Sequence, residues 1–149
     1  MRMSEILLKM TKVHERIELP KYESEGAAGM DLRAFLDSDM EISPLDRTKV
    51  STGLKIEIPD GYEAQIRPRS GLAINYGLTV LNSPGTIDSD YRGIIEVILV
   101  NLGRENVIIK DGQRIAQLVI SKVCRADIIK SDTLNESKRG SGGFGSTDT

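Results

Sequence analysis

The chain has 149 residues, enough for one domain with its own core, and a formal net charge of −2, which leaves no basic footprint for duplex DNA or RNA. Its single cysteine, Cys124, excludes an intramolecular disulfide, and with His14 as the one histidine no zinc-type Cys/His cluster can be assembled, so a metal would be held by oxygen. The opening MRMSEILLKM is far short of a membrane span and has no signal-cleavage pattern, which points to a soluble, cytoplasmic protein with neither a membrane nor a nucleic-acid partner. In chain order, strand-length apolar segments run over 6–13, 30–36, 48–51, 54–59, 62–67, 78–81, 94–102, 107–110, 114–123 and 127–130, most of them broken by Gly, Pro, Asn or Asp. Leu54, Ile56 and Ile58 alternate with Lys55 and Glu57 as in a half-buried strand. Segment 94–102 is apolar on nearly both faces, which predicts a place between two layers or at a subunit contact. Only 72–76, after Ser70-Gly71, reads as a short helical turn. The pattern predicts an all-β fold, a jelly-roll-like β-sandwich or barrel over 1–133, followed by a flexible glycine-rich C-terminal arm over 134–149.

Five segments carry chemistry. AAGMDLRA (27–34) puts Asp31 and Arg33 on one strand face, where an ion pair holding a loop is expected. In RPRSGLA (67–73) a strand stops at Pro68, and the Arg69 guanidinium, the Ser70 hydroxyl and the N–H groups of Ser70 and Gly71 can clamp a polyphosphate; a solvated strand end with a serine cap fits equally well. LNSPGTIDSDYRG (81–93) reads as a hairpin-like excursion turned by Asn82, Pro84 and Gly85, in which an extended Asp88 and Asp90 share a face. There a carboxylate can hold a water, Tyr91 can lie under a sugar or base, and main-chain groups can read a pyrimidine edge; alone, the segment also fits an exposed acidic hairpin with a core tyrosine. In GQRIAQLVI (112–120) the Gln117 amide shares a face with Ile115 and Val119 and needs a partner, either neighbouring backbone or a phosphate. RGSGGFGST (139–147) spaces Arg139 and Phe144 with glycines, as a plain disordered tail does not require and a nucleotide lid does.

In this order the five segments closely resemble motifs one to five of the trimeric dUTP pyrophosphatase (dUTPase) family, from about residue 19 to 147. The resemblance implies hydrolysis of dUTP to dUMP and pyrophosphate by water attack on the α-phosphorus, which removes dUTP from the nucleotide pool and supplies dUMP for thymidylate synthesis. It implies Asp88 as the base, and Asn82, Gly85, Ile87, Tyr91 and Phe144 around the uracil and deoxyribose. Phosphate contacts fall on Arg69, Ser70, Gly71, Gln117, Arg139, Gly145, Ser146 and Thr147, with Asp31 in structural support. Mg²⁺ is implied on the triphosphate and water with no direct protein ligand, and so is a homotrimer whose sites are shared, each arm crossing to a neighbour. A dCTP deaminase or bifunctional deaminase/pyrophosphatase of the same fold, and a non-catalytic nucleotide-binding jelly roll, are the alternatives. Two departures from the family pattern stand out: Asp148 beside the expected γ-phosphate, and Ser83-Pro84 within the base-reading segment.

Overall fold

Alternating branched aliphatic and polar residues turn most of the chain into strand. The computed structural model describes residues 6–145. Among them run eleven strands and one short helix: β1 (Lys9–Lys12), β2 (Gly29–Arg33), β3 (Met40–Ile42), β4 (Arg47–Ser51), β5 (Leu54–Glu57), β6 (Tyr62–Arg67), α1 (Ser70–Tyr76), β7 (Leu78–Val80), β8 (Gly85–Ile87), β9 (Glu96–Asn101), β10 (Val107–Ile109) and β11 (Arg114–Lys122). All pairings are antiparallel, in the orders β2-β11-β6-β8, β4-β9-β7, β1-β5 and β10-β3. Leu32, Ala64 and Leu118 of the four-stranded sheet share one buried cluster with Val50, Val97 and Leu99 of the three-stranded sheet. The result is the all-β jelly roll expected from the strand pattern.

Register decides what faces outward. On β11, Leu118 lies opposite Met30 and Ile66 in the core, so Gln117, opposite Asp31 and Arg67, points to the other face. Helix α1 ends at Gly77, whose φ of 67° lets its N–H return to the carbonyl of Ala73.

Several expected elements differ. Residues 127–130 form no strand: Ile128 and Ile129 are 95% and 84% exposed, with no neighbouring ladder among the described residues to take their backbone groups. Segment 81–93 is not a hairpin, because β7 pairs with β9 whereas β8 pairs with β6, so the turn carries the chain from one sheet to the other. Asp88 and Asp90 are not extended on one face; the chain turns there, and the Tyr91 N–H donates to the Asp88 carbonyl at 3.1 Å. Strands β3 and β8 fall outside the expected segments; each is made by a distant partner, β10 and β6, rather than by a local apolar run.

Asn101 fastens the sheet end and is fully buried. Its Nδ2 donates to the carbonyls of Ile42 (2.9 Å) and Glu105 (2.8 Å), and its Oδ1 accepts from the Gly103 N–H at 2.8 Å. Asn101→Ala strands all three partners, so we expect a loss of about 3 kcal/mol of stability. Thermal unfolding checks this, with the midpoint falling by roughly 10 °C; an unchanged midpoint contradicts the role.

Candidate active site

The residues expected to contact phosphate come from the end of β6 and the outer face of its sheet. Arg69 occupies the cap position of α1 with extended backbone (φ −99°, ψ 129°) and makes no side-chain cap bond. Ser70 is therefore the first helical residue rather than a cap, and the first turn holds no acidic side chain, so an anion finds no competitor there. Asp31 takes Arg69 Nε at 2.9 Å on Oδ1 and Arg114 Nη1 at 3.3 Å on Oδ2. The expected Asp31–Arg33 pair does not form: Arg33 donates to the Gly112 carbonyl at 2.9 Å, while a bulge between Arg114 and Ala116 brings Arg114 to Asp31. Gln117 Nε2 donates to the Pro68 carbonyl at 2.9 Å, so of its two expected partners the backbone is the one present, and it props the loop leading into Arg69, Ser70 and Gly71.

The residues expected around a base surround a cavity of about 270 Å³. Asn82, Gly85, Ile87, Asp88 and Tyr91 all line it, as the sequence grouping anticipates, together with Ile66 of β6. A Cβ on Gly85 would stand 3.3 Å from Ile66 Cβ and 3.4 Å from Asn82 Nδ2, tight enough that the bare backbone forms the wall. Tyr91 is half-exposed, and its hydroxyl donates to the Ile94 carbonyl at 2.9 Å. Its ring lies where a Cβ on Gly93 would fall, which accounts for glycine there. At the rim, Lys49 Nζ meets Glu96 Oε2 at 2.9 Å, and this hydrogen bond raises the lysine's pKa above its ordinary value. Lys49, Glu96 and Arg114 escaped the sequence reading, because only strand register shows which charges meet.

Among the described residues, Arg69, Ser70, Gly71, Gln117 and those of the C-terminal segment do not line this cavity. From Lys122 through Ser141 the chain is exposed. Arg139 Nε donates to the Gly142 carbonyl at 2.8 Å in a tight turn, and Phe144 is fully exposed, followed by Gly145 at φ 85°. Ser146, Thr147 and Asp148 lie outside the described residues.

Among the described residues no three His, Cys, Asp or Glu side chains group as metal ligands, and both Asp31 oxygens face guanidinium groups. No helix among the described residues is long and apolar enough to cross a membrane.

The chain is thus a β-sandwich with a backbone-walled, carboxylate-bearing cavity and, at the end of β6, an arginine-serine turn. The dUTPase family model matches residues 15–148, and the chain belongs to the dUTPase family. It is 54% identical over 144 residues to the deoxyuridine 5'-triphosphate nucleotidohydrolase of Thermoanaerobacter sp., covering 95% of this chain and 97% of the relative. The enzyme of that name from Rhizobium etli is 56% identical over 135 residues, covering 89% and 86%. In fold, the chain resembles a mutant dUTPase of Staphylococcus bacteriophage 80alpha solved with dUpNHpp, with a TM-score of 0.84 at 21% identity, covering 94% of this chain and 97% of that one. A dUTPase mutant of phage phi11 of S. aureus, described with a structural Mg(II) ion, gives 0.79 at 18% identity, covering 88% and 100%.

Proposed function

We infer that this protein hydrolyses dUTP to dUMP and pyrophosphate, the activity named for its relatives. The observation that carries the residue assignment is the single cavity gathering Asn82, Gly85, Ile87, Asp88 and Tyr91. Uracil enters against the bare Gly85 backbone, where thymine's methyl has no room and cytosine's amino group meets the wrong hydrogen-bonding pattern. Tyr91, anchored through its hydroxyl, packs against the deoxyribose and leaves no space for a 2′-hydroxyl. Asp88 accepts a proton from a water aligned with the α-phosphorus; the water oxygen bonds to phosphorus as the bond to the pyrophosphate oxygen breaks. Arg69, Ser70 and Gly71 hold the phosphates, with Asp31 orienting Arg69 and Gln117 acting through the loop it props. Mg²⁺ bound on the triphosphate would neutralise its charge, held by substrate oxygens and water.

The arm, a unit of its own after residue 133, closes a neighbouring copy's site: Phe144 covers the uracil while Arg139, Gly145, Ser146 and Thr147 complete the phosphate shell. In a homotrimer of this kind each site is shared between copies. The uncovered Ile128, Ile129 and Leu134 support such association. The test is product analysis with dUTP, dCTP, dTTP and UTP in turn, with and without Mg²⁺. Only dUTP should give monophosphate and pyrophosphate; ammonia from dCTP would move the chain to the deaminase branch.

A further inference from the structure

On the outer face of the four-stranded sheet, Gly29 of β2 pairs with Val119 of β11, two pairs along from Asp31–Gln117, and so lies diagonal to Gln117. The Pro68 carbonyl can meet only a donor, so Gln117 turns Nε2 to it and Oε1 towards Gly29. A Cβ on Gly29 would lie 2.5 Å from that Oε1 and 3.3 Å from both Gln117 Cδ and Val119 Cγ2. Gly29 is not among the glycines with positive φ, so the backbone itself accepts a larger residue there; the obstacle is the Gln117 side chain. Because the obstructing atom is the far end of a flexible side chain, Gln117 can move aside, and the strut to Pro68 is what is lost.

We propose that Gly29 is a positioning residue for the triphosphate: by lacking a side chain it seats the Gln117 amide, which holds the Pro68 carbonyl and thereby the Arg69–Ser70–Gly71 turn at the phosphates. This rests on the dUTP-hydrolase reading and extends it to a residue that touches no substrate. A β-carbon at Gly29 acts on the triphosphate end of the site and leaves the base cavity alone, since neither Gly29 nor Gln117 lines that cavity.

The test is a cycle of Gly29→Ala, Gln117→Ala and the double variant, with kcat/KM for dUTP, affinities for dUMP and for dUpNHpp, and thermal midpoints. Gly29→Ala should lower kcat/KM by about tenfold to a hundredfold, because small misplacement of a phosphate-holding group is costly. It should weaken dUpNHpp, spare dUMP and leave the midpoint within a few degrees. In the Gln117→Ala background the same change should add nothing further. Unchanged kinetics, a double variant that loses the product of the two single effects, an equal loss of dUMP affinity or a large drop in midpoint would each overturn the proposal. Absence of dUTP turnover in the unaltered protein would instead sink the hydrolase reading, and the dUMP and dUpNHpp affinities would still decide the role of Gly29.

Discussion

Asp88→Asn is expected to lower kcat for dUTP by about a thousandfold while leaving dUpNHpp affinity within a few-fold of the unaltered protein. The substitution keeps the volume and one acceptor oxygen but removes the charge that takes the water's proton. Among the described residues Asp88 takes part in no ion pair, so its carboxylate is not needed to hold another element in place. The base cavity walls come from Gly85, Ile87 and Ile66, which the change does not touch. Single-turnover kinetics beside equilibrium binding of dUpNHpp separate the two effects. Turnover near the unaltered rate would remove Asp88 from the base role.

Deleting residues 139–149 is expected to cost about a hundredfold in kcat/KM with little change in thermal midpoint, because the chain from Lys122 through Ser141 is exposed and contributes nothing to the buried cluster. In the proposed mechanism the loss has two sources: Phe144 would no longer shield the base from water, and Arg139 with the glycine-rich backbone would no longer complete the phosphate shell. Phe144→Ala removes only the first and should cost less than the deletion. Thermal unfolding and dUTP kinetics on both variants check this. Unfolding of the truncated protein would show that the arm belongs to the core rather than to the site.

Much of the fold is legible where side-chain alternation is strong. Leu54, Ile56 and Ile58 mark the edge of β5 because each second residue is buried, and Tyr62–Arg67 is bounded as expected by Gly61 and Pro68. What escapes is set by distant pairing. Gly85–Ile87 is a strand only because β6 supplies its partner, and nothing within three residues announces that. The site follows the same division. Asn82, Gly85, Ile87, Asp88 and Tyr91 are close in sequence and fall around one cavity. The partner of Asp31 depends on a bulge in β11, so the local expectation of Arg33 gives way to Arg69 and Arg114. Residues 127–130 have the apolar pattern of a strand and no ladder among the described residues, because periodicity marks an apolar face without supplying the partner strand that would pair with it.

The most direct test of the mechanism is turnover of dUTP in H₂¹⁸O, with mass analysis of both products. Water activated by Asp88 at the α-phosphorus places the label in dUMP and leaves the pyrophosphate unlabelled. Label in pyrophosphate would show attack at the β-phosphorus and contradict the assignment of Asp88, the base cavity and the phosphate turn to their present roles.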